Sequence, residues 1–511
     1  MASPVTDWVS YHARTRPDDI ALHMLETGET RSWKDLEARV ARLAHAFRHR
    51  LGLNPGARVA LLSDGDIRVI EVQFACIRAG LVFVPLNFRL TTGELIGVCR
   101  QVETAIIVSD RVWQEPSQAI AAALGQRAPL FWGAEADEEY EALIRSSDAM
   151  PARSDMQADD VVHILFTSGS TAAPKAATGT LGALVWQAFN QAEASRVAER
   201  GAHVLTPLPL FHAGGLNSLT NPILFFGGRV TISARFDPEA VAGYLGDPAN
   251  GVTHIALVPL MYSLIAASPS FARGDFSALK VAILAGGRLT GELQSTWAAK
   301  AVAFSPQYGG TETGPSVTAL APARQDKARA GSCGTAVMHV EVKLVGDDGE
   351  EVPVGAAGEI WVRGPAITRG YLGRERELDY SGDWFRTGDV AHVDDEGFYY
   401  IVDRKKDMYK SGGENVSPAE VEEVLADHPD IAEVAVIGVA HEKWGETGLA
   451  VVVVRNGSAP GLDDLRQHCE GRLARYKQPH RLEIVDQLPR NVTGKISKEE
   501  LRARFGGTAT A

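Results

Sequence analysis

The sequence predicts an α/β protein in two unequal parts, a large N-terminal domain of helix-covered sheets and a small C-terminal α+β domain. Strand-like and helix-like patterns alternate along the chain, as expected of parallel strands joined by crossover helices. The 511 residues exceed what one hydrophobic core usually serves. A dense charged run, Asp403-Arg-Lys-Lys-Asp407, follows an apolar strand pattern and precedes a glycine-rich turn. It marks a boundary between a part ending at residue 403 and one beginning at 407. The bland alternative for that run is a solvated loop.

Element by element, Leu36, Val40, Leu43 and Phe47 fall on one helical face, with Ser32 and Asp35 forming a weakened capping box ahead of them. Val59-Ala-Leu-Leu62 reads as a buried strand ended by Asp64-Gly65, and Val281-Ala-Ile-Leu284 as another running into Gly286-Gly287. Phe398-Tyr-Tyr-Ile-Val402 is the apolar strand before the charged run. Beyond it, Ser417-Pro418-Ala419-Glu420 supplies an N-cap, a first-position proline and an acidic third position. Strands follow at Val434-Ala-Val-Ile437 and Ala450-Val-Val-Val-Val454, and Ser497 with Glu500 opens a last helix. No internal repeat or low-complexity tract is present.

A hydrophobic share of 45% and a charged share of 23% suit a globular enzyme. The net charge of −13 argues against nonspecific nucleic-acid binding, so anionic substrates must be met by local cations. Cys76, Cys99, Cys333 and Cys469 lie far apart and fit a reducing compartment rather than a disulfide scaffold or zinc site. The first twenty residues hold charges and no long apolar run, and no stretch reaches membrane-spanning length. Stable membrane insertion is therefore not expected, and cytoplasmic placement is the default.

Chemistry concentrates first at Phe166-Thr-Ser-Gly-Ser-Thr-Ala-Ala-Pro-Lys175. An apolar strand, a hydroxyl-and-glycine loop and a lysine are what a backbone needs to cradle a polyphosphate, through Thr167, Ser168, Gly169, Ser170, Thr171 and Lys175. It is not the common P-loop, since Pro174 precedes the lysine and Ala176 follows it. Taken alone it is as readily a Ser/Thr-rich surface turn. Further blocks follow: Gln307-Tyr-Gly-Gly-Thr-Glu-Thr313, Trp384-Phe-Arg-Thr-Gly-Asp389, Asp403 to Asp407, Ser411-Gly-Gly-Glu-Asn415 and Pro489-Arg-Asn-Val-Thr-Gly-Lys495.

In order and spacing these blocks resemble the adenylate-forming superfamily of acyl- and aryl-CoA synthetases, adenylation domains and luciferases, across nearly the whole chain. The resemblance implies a fold of doubly wound subdomains plus a small distorted β-barrel, and a C-terminal domain that turns about a hinge at 404–406 between two half-reactions. It implies that Thr167 to Lys175 hold the β- and γ-phosphates. Gln307, Tyr308 and Gly309 line the nucleotide, with Tyr308 stacked on adenine. Thr311 donates to the α-phosphate and Glu312 binds Mg²⁺. Asp389 and Arg404 take the ribose. Lys495 bridges carboxylate and α-phosphate, Lys406 is the hinge residue, and Gly412 and Gly413 line the pantetheine path. Gly286, Gly287 and Arg288 end a strand beside the base, with Arg288 structural or substrate-side. His212, in Leu208-Pro-Leu-Phe-His212, gates the acid tunnel. Gly214, Val258, Met261, Tyr262, Ala285, Gly310 and Val317 form the acyl pocket. The departures from the family pattern are Ala172, Ala176, Gly310 and Asp403.

The activity implied is ATP-dependent acid–CoA ligation releasing AMP and pyrophosphate, with ATP, Mg²⁺ and coenzyme A as cofactors and co-substrates. The acid is aromatic, arylpropenoic or a medium-chain fatty acid, because no Lys or Arg stands among the pocket walls to pair a second carboxylate; Arg288 alone keeps a malonate-type acid open. A stand-alone adenylation enzyme loading a separate carrier, a luciferase-like oxygenase and a non-catalytic nucleotide sensor are the competing readings. A monomer or homodimer is expected, with no nucleic-acid partner.

Overall fold

The computed structural model describes residues 7–133, 139–152, 156–167, 174–287, 289–320, 331–411, 414–455, 460–490 and 495–506. Two compact units are present. The first comprises Met1–Glu341 with Val362–Phe385, the second Val342–Trp361 with Arg386–Ala511.

The first unit holds two sheets. One has six strands in the order Leu130–Trp132, Thr104–Asp110, Arg58–Leu62, Val82–Pro85, Val161–Thr167 and Lys175–Thr180. All neighbours are parallel except the last pair. Its strands are apolar on both faces because helices cover both. Val59 and Leu61 pack with Phe83 and Val108 in one core, while Ala60 and Leu62 pack with Val84, Ile107 and Ile164 in the other. The second sheet has nine strands, with Phe304–Gly310, Val281–Ala285, His254–Leu257, His203–Thr206, Arg229–Ile232 and Ile20–Met24 adjacent and parallel.

The helix expected around Leu36 to Phe47 runs over Trp33–His45 and continues as a wider π turn, Ala46–Arg50. Its box is complete. Ser32 Oγ accepts from the Asp35 amide at 3.1 Å, and Asp35 Oδ2 accepts from the Ser32 amide at 3.3 Å, so the shorter aspartate closes it as well as a glutamate would.

In the second unit Asp389 to Val393 pair with Tyr399–Arg404 as antiparallel strands. Beyond it lie Tyr409–Ser411, Glu414–Val416 and a long hairpin, Ile431–His441 with Gly445–Val454. The expected strands at 434–437 and 450–454 lie within that hairpin. One of its faces places Val436 and Val452 against Val421, Leu425 and Leu465 of the helices Pro418–Ala426 and Leu462–Cys469. The other places Ile437 and Val451 against Leu501 of the helix Lys498–Phe505. No described helix is long and apolar enough to cross a membrane.

Candidate active site

In the first unit the strand Val161–Thr167 is followed by an antiparallel partner, Lys175–Thr180, with Thr167 opposite Lys175. The lysine thus opens a strand, whereas in a P-loop it opens a helix. Ser168, Gly169, Ser170 and Thr171 lie outside the described residues, as does Ala172. Ala176 is a buried strand residue opposite Phe166. It avoids the positive φ that alanine resists, which explains why glycine is not needed there. The Lys175 ammonium stands 4.7 Å from the centre of the Tyr371 ring and 3.4 Å from Asp379 Oδ1.

The block from Gln307 to Thr313 ends one strand and begins the turn back into Gly314–Ala319. It is therefore a hairpin tip, not a helix start. Gly309 is required for the close approach of the two strands, since a Cβ there would lie 2.5 Å from Gly314 O and Pro315 O. A Cβ on Gly310 would make ordinary contact with Glu312 Oε2 at 3.6 Å and Thr313 Oγ1 at 3.7 Å. Thr311 and Glu312 are half-buried at the tip. Glu312 Oε1 accepts the Tyr371 hydroxyl at 2.6 Å.

The Gln307 side chain is turned inward. It is buried and used internally, with Nε2 donating to Ser195 Oγ at 2.8 Å and Oε1 accepting from Gln191 Nε2 at 3.1 Å and Ser316 Oγ at 2.6 Å. It anchors the strand to the helix Leu181–Ser195, and the half-buried Tyr308 follows on the opposite face.

Three adjacent parallel strands, Phe304–Gly310, Val281–Ala285 and His254–Leu257, bring Gly310, Ala285 and Val258 to their carboxyl ends, where open α/β sheets take ligands. Ala285 is the last residue of Val281–Ala285. Gly286 follows with φ +76, a left-handed conformation, and a Cβ on Gly287 would lie 2.9 Å from Pro259 Cγ. Arg288 lies outside the described residues. His212 precedes the short turn Ala213–Gly215, its ring 4.4 Å from that of Phe211, which meets Phe88 at 5.2 Å. Gly214 is exposed and Val258 half-buried. Tyr262 and Val317 are wholly buried and Met261 nearly so. Tyr262 is engaged internally. Its hydroxyl donates to Ile283 O at 2.8 Å and its ring packs on Trp297 and Phe304, so it belongs to the core behind the strand ends.

In the second unit Asp389 and Arg404 face each other across paired strands, Arg404 Nε lying 3.1 Å from Asp389 Oδ1. Lys495 lies within the electrostatic reach of both. Desolvation lowers its pKa, the Arg404 guanidinium lowers it further and Asp389 raises it. Asp403 is not a solvated loop residue. Its Oδ2 accepts from the Ala419 amide at 2.9 Å and the Ser417 hydroxyl at 3.1 Å, capping the helix Pro418–Ala426. Asp407 pairs with Arg502 at 2.8 Å, and Lys405 with Asp347 at 3.1 Å. Lys406 is exposed in the turn between the strands. Gly412 and Gly413 lie outside the described residues.

The chain matches the AMP-binding enzyme family over residues 9–372 and the AMP-binding enzyme C-terminal domain over residues 420–495. The chain belongs to the AMP-binding enzyme family. This AMP-binding enzyme is 39% identical over 501 residues to a feruloyl-CoA synthase of an Amycolatopsis species, covering 98% of each chain. It is 36% identical to the indoleacetate–CoA ligase of Aromatoleum aromaticum, covering 98% of this chain and 97% of the relative. Among solved structures, ATP-bound MatB from Rhodopseudomonas palustris superposes with a TM-score of 0.89 at 29% identity, over 98% of this chain and 99% of the other. The protein is an AMP-forming ligase.

Two features missed in the sequence complete the first-unit site of this AMP-binding enzyme. Tyr371 stands between Lys175 and Glu312. Asp379 meets Lys175 and is itself gripped by Arg374, Nε to Oδ2 at 2.5 Å. A period-two reading of the strand would have separated Gln307 from Tyr308, but nothing in spacing points to Tyr371. An ammonium, with Glu312 as a carboxylate not already held by an arginine, fits a magnesium–triphosphate. Mg²⁺ takes one or two carboxylates and fills the rest of its shell with phosphate oxygens and water.

Proposed function

We propose that this protein activates an aromatic carboxylic acid with ATP and transfers the acyl group to coenzyme A. The observation that carries the substrate class is the end-to-end match to relatives named for feruloyl and indoleacetyl groups, both ring-bearing acids. The carboxylate oxygen attacks the α-phosphorus and the bond to the β-phosphate breaks, releasing pyrophosphate. The thiolate sulfur of coenzyme A then attacks the acyl carbon, AMP leaves, and the thiol proton passes to solvent.

Lys175 and the loop before it take the β- and γ-phosphates. Thr311 donates to the α-phosphate, and Glu312 would hold Mg²⁺, whose charge offsets the departing pyrophosphate. Tyr308 stacks on the base, Asp389 and Arg404 take the ribose hydroxyls, and Lys495 neutralises charge as the carboxylate approaches phosphorus. His212 with Phe211 gates the acid, and Gly214, Val258, Ala285 and Gly310 leave room for it. Gly412 and Gly413 admit the pantetheine arm, and residues 404–406, with Lys406, form the hinge.

The test is a panel of ferulate, cinnamate, benzoate, indoleacetate and decanoate with ATP, Mg²⁺ and coenzyme A, following pyrophosphate, AMP and thioester. The aromatic acids are expected to exceed decanoate in kcat/KM by about tenfold or more, roughly the discrimination an apolar pocket provides. ADP as product, acid-independent ATP consumption or preference for decanoate would overturn the reading.

A further inference from the structure

We propose that Tyr371 is the positioning residue that sets Lys175 and Glu312 in one frame, so that the phosphate-binding lysine and the metal-side carboxylate act on the same triphosphate. The proposal rests on the reading of those two residues given above. Lys175, Glu312 and Tyr371 come from three distant segments, and backbone hydrogen bonds fix Tyr371 among them. The Leu372 amide donates to Ala176 O at 2.9 Å, next to Lys175, and the Thr368 amide donates to Glu312 O at 2.7 Å. Between these two ties, Thr178 donates its amide to Gly370 O at 3.1 Å and its hydroxyl to the same oxygen at 2.9 Å. Gly370 has φ +127, a left-handed-side conformation that favours glycine and turns the chain so that Tyr371 follows.

The tyrosine makes a different contact on each side. Its ring seats the Lys175 ammonium, and its hydroxyl donates to Glu312 Oε1. A phenol suits this place. With an ammonium and a carboxylate in direct contact, each would satisfy the other. The π face offers the lysine only a weak seat that a polyphosphate can outbid, and the hydroxyl engages one carboxylate oxygen while the other faces the Gly310 side of the turn. The ammonium also pairs with Asp379 at 3.4 Å, a carboxylate already shared with Arg374.

Tyr371→Phe and Tyr371→Leu separate the two contacts. Tyr371→Phe is expected to raise the Mg²⁺ concentration for half-maximal pyrophosphate release by about tenfold, the cost of a hydrogen bond to a charged group, with the KM for the acid unchanged. Its calorimetric Kd for ATP without Mg²⁺ should equal that of the wild type. Tyr371→Leu should in addition weaken that metal-independent Kd by about threefold, the loss of a cation–π seat. In a Glu312→Gln background Tyr371→Phe should add no further Mg²⁺ shift. Wild-type Mg²⁺ dependence in Tyr371→Phe overturns the proposal while Glu312→Gln still shifts it. If Glu312→Gln itself shifts nothing, the metal role of Glu312 falls, and this proposal with it. Should Tyr371→Leu fail to fold, Tyr371→Phe and its cycle with Glu312→Gln still decide.

Discussion

Lys495 carries an ammonium that loses its proton more easily than an ordinary lysine, through desolvation and the nearby Arg404 guanidinium, with Asp389 opposing. A lowered lysine pKa means the charge is present below that value and lost as pH rises through it. Acid-dependent pyrophosphate release should therefore decline on its alkaline side earlier than an unperturbed lysine would allow. Removing the like charge in Arg404→Ala should move that alkaline limb to higher pH, and Asp389→Asn should move it lower. Lys495→Arg should abolish the limb in whatever activity remains. The check is kcat/KM against pH for the three variants; limbs that coincide with the wild type would remove Lys495 from the titration. Lys495, Asp389 and Arg404 could be singled out as candidates because each ends or sits within a distinctive string. Tyr371 was not, because a tyrosine after a glycine in a loop has no local signature. Its place arises only when residues 176 and 312 are brought to it. The direction of the Gln307 side chain was not legible for the opposite reason. It stands inside a distinctive string, yet strand alternation turns it away from Tyr308 and into the Gln191–Ser195–Ser316 hydrogen bonds.

The helix Pro418–Ala426 shows how an element was half legible. Ser417 caps it as the sequence indicated, its Oγ accepting from the Glu420 amide at 3.4 Å. Glu420 does not reach back to the Ser417 amide but pairs with Lys477 at 2.6 Å. Asp403, fourteen residues upstream of Ser417, supplies the second capping acceptor, which no local pattern announces. Loss of a helix cap typically costs about 1 kcal/mol, so Asp403→Ala should lower the unfolding free energy by about that amount, read as a shift of the urea midpoint. Asp403→Asn, which keeps one acceptor oxygen, should lose less, and equal losses would deny the capping role. The strand Lys175–Thr180 was missed for a related reason. Lys-Ala-Ala-Thr-Gly-Thr has little strand character, and it is extended because Val161–Thr167 and the 370–372 segment pair with it on either side. The long hairpin was legible only in its apolar middle, since Gly438, Gly445 and Gly448 and the polar ends carry no alternation.

Fold class was readable because strand and helix alternate up to the helix Gly291–Ala298, and a sheet covered on both faces leaves an unbroken apolar run. The limits of the two compact units were not, since Val342–Trp361 belongs to the second unit although its strands read like their neighbours. Compactness and motion are separate divisions, and residues 404–406 are proposed for the second. The same covered sheets have a consequence for the molecule's response to acid. His163, His203 and His254 sit on strands of the first unit, where burial lowers them to about 4, about 3 and about 4. Each is neutral in the fold and packed as such. His163 lies against Gly179, His203 Nε2 is 2.7 Å from Thr231 Oγ1, and His254 Nε2 is 2.9 Å from Ser195 O. In the unfolded chain they take up protons near the ordinary value of about 6.5. Between that value and the folded ones only the unfolded chain binds the proton, so stability present above about 6.5 is lost as pH falls. The loss is about 1.4 kcal/mol per pH unit for each histidine. Three together draw about 4 kcal/mol per unit from a total that is typically 5–15 kcal/mol. The first unit should therefore lose about 6 kcal/mol of stability between pH 6.5 and pH 5. Denaturant midpoints at pH 7.5, 6.5, 5.5 and 5 would show it. His203→Gln, which can still bond Thr231 without titrating, should remove about a third of the slope. A midpoint that is flat from 6.5 to 5 would mean that these imidazoles are charged in the fold.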